Sequence, residues 1–147
     1  MKILVDADAC PGRNIIEKAA MSHNIEVVMI CDLNHSLQSD YSRIVYVDSG
    51  FQSVDMYLIN LCGKKDIVVT QDFGVAAMAL GKGAYAIGPK GYIYSEDNID
   101  RLLFERHLSQ KTRRAGGRTS SVKKRSSEDD DRLYKNLKLL IEKAINN

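Results

Sequence analysis

Two aspartates separated by a single residue close an apolar run near the start of the chain: KILVDADACPG, residues 2–12. A turn needs one such carboxylate at most, whereas a divalent cation or a phosphoryl-transfer site uses several. Asp6 and Asp8 are therefore the first candidates for chemistry. A second apolar run, DIVVT, ends in Thr70 and is followed at once by Gln71 and Asp72. Asp55 stands early in an amphipathic stretch, and Asp48 ends another apolar run. Carboxylates brought close together repel and raise one another's pKa unless a cation neutralises them. Mg²⁺ or Mn²⁺ suits such a group, being hard, oxygen-seeking and content with one or two carboxylates plus water and substrate phosphate. There the cation would orient a scissile phosphate and help deprotonate an attacking water. The competing structural reading is that strand-end aspartates are turn formers and helix caps.

The other reactive side chains form weaker patterns. Cys10, Cys31 and Cys62 show no CxxC spacing, so neither a disulfide framework nor a cysteine zinc site is indicated. Cys10 could be a nucleophile, but His23, His35 and His107 stand at no recognisable spacing from it; a small buried residue in the turn is the simpler reading. GGR at 116–118 lacks the preceding strand and the GK[ST] ending of a phosphate loop.

The elements that must carry these residues follow from periodicity. Short apolar runs at Lys2–Val5, Glu26–Cys31, Ile44–Val47, 66–70 and about Ala84–Ile87 are predicted strands. Between them, helices are predicted from Pro11-Gly12 to about His23 and over 51–62, where Val54, Tyr57, Leu58, Leu61 and Cys62 form one stripe. GVAAMALG is a third helix, and Ser95 or Asp97 caps a fourth carrying Ile99, Leu102 and Leu103. A last helix follows the acids of EDDD, with Leu133, Leu137, Leu140, Ile141 and Ala144 on one face. Alternating strands and helices predict an α/β fold: a single-domain, mainly parallel sheet of about five strands with helices on both faces, a Rossmann-like three-layer arrangement. Ligands of such sheets gather beyond the carboxyl ends of the strands, at the switch point of strand order. If strands one and four are neighbours, Asp6 and Asp72 face one crevice and Asp55 leans over the same edge.

The charge is unevenly spread. Residues 1–110 carry a balance of −4, residues 111–125 (KTRRAGGRTSSVKKR) +7 with no acid, and residues 126–147 −1. This predicts an α/β core over 1–110, a basic, flexible segment over 111–127 and a C-terminal helix over 128–147. Arg113, Arg114, Arg118, Lys123, Lys124 and Arg125 make the basic segment a candidate grip for nucleic-acid phosphates, the alternative being a solvated linker. No apolar stretch approaches the roughly 20 residues of a membrane-spanning helix, and the N-terminus lacks the basic-then-apolar order of a signal peptide. The expected location is the cytoplasm, with no membrane partner; whether the chain is a dimer is left open.

VDADACP at 5–11 resembles the N-terminal signature of the YaiI/YqxD family of bacterial proteins, placed in the PIN-like nuclease superfamily. The likeness continues through GFQSVDMYLI (50–59), DIVVTQDFGVAAMAL (66–80), GPKGYIYSEDNI (88–99) and RRAGG (113–117). VTQD also resembles the T-x-D element of PIN-domain ribonucleases, whose strand-end acids bind Mg²⁺ or Mn²⁺. The resemblance implies a PIN-like fold with Asp6, Asp55 and Asp72 as metal-site acids and Thr70 bracing them. Asp8 would be a supporting or alternate ligand, and Arg113 and Arg114 would lie near a phosphate backbone. Two departures stand out. Gln52 replaces an acid in the family's GFDxAD pattern, and TSSVK (119–123) replaces its TGGP.

Three functions compete at this stage. The first is a Mg²⁺/Mn²⁺-dependent nuclease acting on RNA or single-stranded nucleic acid. The second is a non-catalytic nucleic-acid-binding module of the same fold, motivated by Gln52. The third is a phosphohydrolase of the haloacid-dehalogenase type, with Asp6 as nucleophile and Asp8 as general acid/base; against it, VVTQD brings one acid where that pattern needs two.

Overall fold

The structure, a computed structural model, describes residues 1–116 and 124–147. Its elements run β1 (Lys2–Asp6), a 3-10 turn (Ala7–Ala9), α1 (Arg13–Met21), β2 (Glu26–Asp32), β3 (Arg43–Val47), α2 (Val54–Leu61), β4 (Ile67–Val69), α3 (Phe73–Gly81), β5 (Tyr85–Ile87), β6 (Ile93–Tyr94), α4 (Glu96–Arg114) and α5 (Ser127–Asn146). The strands form one sheet in the order β3-β2-β1-β4-β5-β6. Every pairing is parallel except β5 with β6. The expected α/β architecture is therefore present, with β1 beside β4. The sixth strand arises where GYIYS turns back along β5, too short a segment for periodicity to register.

Strand alternation divides the core into two layers. Ile3, Val5, Met29, Ile67, Val69 and Ile87 face α1 and α5; Leu4, Val28, Ile30, Val68 and Ala86 face α2, α3 and the start of α4. The helices thus cover both faces, and the central strands are apolar on both sides, as parallel strands must be. The C-terminal stripe Leu133, Leu137, Leu140, Ile141 and Ala144 is buried on this domain's own α1 face. A capping box starts α5: the Ser126 hydroxyl accepts from the Asp129 amide, and the Asp129 carboxylate accepts from the Ser126 amide.

Two glycines allow α5 to dock. Gly91 lies at φ +90°, and a Cβ there would sit 2.4 Å from the Leu133 amide nitrogen. Gly12, the N-cap of α1, lies at φ +86° with the Arg125 guanidinium where its Cβ would be. Arg125 completes the joint, donating to Asp130 Oδ1 at 2.7 Å and to the Pro89 carbonyl at 2.6 Å.

The basic region divides differently from the sequence expectation. Residues 111–114 form the last turn of α4, and α5 begins at Ser127. Lys, Gln and Arg are good helix formers, so a charge run following a helix need not end it. The expectation of flexibility over the middle of this region, with Arg118 and Lys123, falls outside the described residues. At the opposite end of the sheet from the strand-end acids, buried Asp66 pairs with Lys2 Nζ (2.8 Å) and accepts from the Lys2 and Gly63 amides.

Candidate functional site

Strand register brings the strand-end residues together. Val5 pairs with Val69, so Asp6 and Thr70 are the next residues at the carboxyl edges of neighbouring strands. Asp6 shares its parity with Leu4, and Thr70 with Val68, so both point to the α2/α3 side of the sheet. On that side, Asp55 lies in the first turn of α2, and Asp72 is the N-cap of α3. Thr70 is fully buried and links two of the acids: its hydroxyl donates to Asp6 Oδ2 at 3.4 Å and accepts from the Asp72 amide at 3.0 Å. Its carbonyl accepts from the Tyr94 hydroxyl at 3.1 Å.

Asp72 is held firmly. Its Oδ1 accepts from the Gly74 and Val75 amides at 2.8 and 3.2 Å and lies 3.4 Å from an Arg106 guanidinium nitrogen. All three contacts fall on one oxygen. The structural reading of Asp72 as a helix cap is therefore correct.

The electrostatics show how little answers this negative charge. Partial burial pushes the Asp6 carboxyl up to about 6, and the carboxylates of Asp55, Asp8 and Asp72 add to the rise against the opposing Thr70 hydrogen bond. Asp55 is also raised, by burial and by Asp72, with Arg106 pulling it down. Arg106 is thus the cation that the rim does hold. It was not singled out in the sequence, although a signal existed: Ile99, Leu102, Leu103 and Arg106 stand at i, i+3, i+4 and i+7, so the arginine continues the inward stripe of α4.

Asp8 departs from Asp6. The 3-10 turn Ala7–Ala9 breaks the two-residue alternation of β1. The carboxylate of Asp8 instead accepts from the Asp32 amide at 3.0 and 3.2 Å, at the end of β2, with His35 Nδ1 at 3.0 Å. Its influence on Asp6 is through space. Asp48 forms a turn, accepting from the Gly50 amide at 3.0 Å. Cys10 is buried, with its thiol pushed up to about 12, chiefly by that burial; it is an inert core residue.

Among the described residues, no group of three or more His, Cys, Asp or Glu side chains is placed to hold a metal ion. Asp6, Asp55 and Asp72 form an open rim. Their oxygen donors are of the hard type that Mg²⁺ and Mn²⁺ take together with water and phosphate, and they do not make the closed four-ligand set of a structural zinc site. Of the basic candidates, Arg113 and Arg114 close α4, exposed Lys124 precedes α5, and Arg125 is the joint described above.

Comparison with known proteins bears on this arrangement. The family model described as "Uncharacterized BCR, YaiI/YqxD family" matches residues 4–143. The chain belongs to the YaiI/YqxD family. The matched span contains all of the rim acids and the whole basic segment. A UPF0178 protein of Clostridium tetani is 66% identical over 144 residues, covering 98% of this chain and 99% of its own. One from Clostridium novyi is 65% identical with 98% and 97% coverage. Another, from Ruminiclostridium cellulolyticum, is 57% identical over 141 residues, covering 96% and 92%. No solved structure matches the chain. Among the described residues no helix is long and apolar enough to cross a membrane. Membership in the YaiI/YqxD family carries a shared architecture and no stated activity, so function is argued from the site.

Proposed function

We propose that this protein is a divalent-metal-dependent phosphodiesterase of the PIN-like type, acting on RNA or other single-stranded nucleic acid. The observation that carries the reading is the electrostatic coupling of Asp6 at the end of β1, Asp72 at the N-cap of α3 and Asp55 in the first turn of α2, answered among the described residues by Arg106. A structure stabilised for its own sake would pair or neutralise such carboxylates. The chemistry that Mg²⁺ or Mn²⁺ supplies at such a rim is polarisation of a phosphate oxygen and acidification of water.

The chain's own residues divide the remaining work. Asp6 and Asp72 offer carboxylate oxygens fixed on the sheet edge and on a helix N-terminus, and Asp55 offers a third from α2. Thr70 sets the spacing of the first two through its hydroxyl. Arg106, beside Asp72, is placed to meet an incoming phosphate once the carboxylates are neutralised. Arg113, Arg114 and Lys124, with Arg118 and Lys123 in the same segment, supply the sequence-independent phosphate grip, whose contribution falls steeply with salt.

A second reading is a binding module of the same fold without hydrolysis. It is favoured by the absence, among the described residues, of a preassembled three-ligand group and by Gln52 in place of an acid. The phosphohydrolase reading has less support, because Asp8 is engaged at the end of β2 and not poised over Asp6.

The test is cleavage of an end-labelled single-stranded RNA with Mn²⁺, with Mg²⁺ and with chelator. Metal-dependent cleavage, lost by at least about 100-fold in Asp6→Asn and Asp72→Asn, is the expected result. Metal-independent binding with no cleavage selects the binding module.

A further inference from the structure

A second concavity adjoins the acidic rim and differs from it in chemistry. It has a volume of ≈ 410 Å³ and is lined by Phe73, Tyr92, Tyr94, Gln71, Arg125 and Lys90, with the rings of Pro11 and Pro89. That size lies within the roughly 300–1,000 Å³ of small-molecule sites. Phe73 and Gln71 flank Asp72 in the chain, and Tyr94 hydrogen-bonds the Thr70 carbonyl. The cavity and the rim thus share the segment 70–73 as a common wall.

Three features define what it accepts. Its walls are flat and aromatic. Phe73 and Tyr94 pack edge to face with centroids 5.7 Å apart, while Tyr92 is held by the Arg132 guanidinium, 4.4 Å from its ring centroid. Tyr92 is nevertheless 59% exposed. Among the described residues no carboxylate lines the cavity, in contrast to the rim next to it. Its charged lining residues are Arg125 and Lys90; Arg125 is rigid there, paired with Asp130 and donating to the Pro89 carbonyl, with Nη2 buried against Gly12.

We propose that this cavity is a base-binding subsite that takes one unstacked nucleobase of a single-stranded nucleic acid, with Tyr92 as the stacking platform. The assignment rests on reading the neighbouring rim as the phosphodiester site. A base has a planar π-face that an aliphatic ligand lacks, and it brings the negative phosphate that a basic wall favours. A base within a duplex is stacked on both sides and cannot enter, so the subsite selects single strands. Seating a base beside residues 70–73 would present its adjoining phosphodiester to the rim.

The test uses two variants and two probes. The chain has no tryptophan, so Tyr92→Trp introduces a single fluorophore at the platform. A labelled oligoribonucleotide of about 12 residues and a nucleoside monophosphate are titrated in chelator, where no hydrolysis occurs. The expected result is quenching of the introduced indole by the oligonucleotide, with the monophosphate far weaker. Tyr92→Ala should weaken oligonucleotide binding by roughly tenfold or more, and Tyr92→Phe should retain it. Because Tyr92 is largely exposed, the alanine variant should keep its circular-dichroism spectrum. Oligonucleotide affinity unchanged in Tyr92→Ala, or no quenching by any strand, overturns the subsite. Metal-dependent cleavage by the wild type in that case leaves the rim's hydrolytic reading standing. Equal binding of monophosphate and oligonucleotide overturns the single-strand assignment. Quenching with no cleavage by the wild type supports the subsite and removes the hydrolytic reading instead.

Discussion

Asp6→Asn is expected to make the metal-free protein more stable. In the folded state the Asp6 carboxyl is raised from 3.8 to about 6, mostly by burial and then by the Asp55, Asp8 and Asp72 carboxylates. A shift of that size corresponds to about 3 kcal/mol against the ionised form, and discounting for partial exposure leaves about 1–3 kcal/mol. Because the folded value lies above the unfolded one, the native protein holds more protons between about 4 and 6, and stability falls as pH rises through that window. The cost is fully present above about 6. Asparagine removes the charge, keeps the shape and preserves an acceptor for the Thr70 hydroxyl. Thermal unfolding followed by circular dichroism, in chelator at pH 7.5, should show Asp6→Asn melting roughly 2–12 °C above wild type, at about 2–4 °C per kcal/mol. The gap should close as pH falls towards 4.5. Mn²⁺ should raise the wild-type midpoint and leave the variant's nearly unchanged. A variant no more stable than wild type at pH 7.5, or a gap that does not depend on pH, would refute the reasoning that these carboxylates strain one another.

Two further substitutions separate structural acids from functional ones. Asp66→Ala removes a buried carboxylate at the far end of the sheet and orphans Lys2 and the Gly63 amide; it should cost about 3–5 kcal/mol in denaturant unfolding without changing Mn²⁺ affinity. Arg106→Gln removes the cation beside Asp72 and Asp55. It should tighten Mn²⁺ binding by up to about fivefold, as expected for a surface ion pair, while lowering the cleavage rate, a combination that calorimetry and a gel assay read directly.

The sequence carried the placement of Asp6, Asp55 and Asp72 because a local pattern and a topological rule met: apolar runs locate the strands, and parallel sheets present their carboxyl ends to ligands. Asp8, read as a supporting residue, points away from Asp6 for a definable reason. Two aspartates at i and i+2 share a face only while the strand continues, and a 3-10 turn intervenes between them. Arg125 illustrates the reverse. In a run of basic residues it reads as a phosphate contact, yet its main-chain partner, the Pro89 carbonyl, is 36 positions away. The aromatic cavity shares that property, since Phe73, Tyr92 and Tyr94 converge only once β6 turns back along β5. Pairings across a fold leave no trace in composition or period, whereas the inward stripe that carries Arg106 does.

On the proposed function, β1 and the β4–α3 junction build one shared cation site. Isothermal calorimetry of Mn²⁺ binding tests it most directly, with wild type beside Asp6→Asn and Asp72→Asn and circular dichroism as the folding control. One saturable event is expected in wild type, lost in both variants with the fold intact. No binding to wild type, or isotherms unchanged by either substitution, would contradict it.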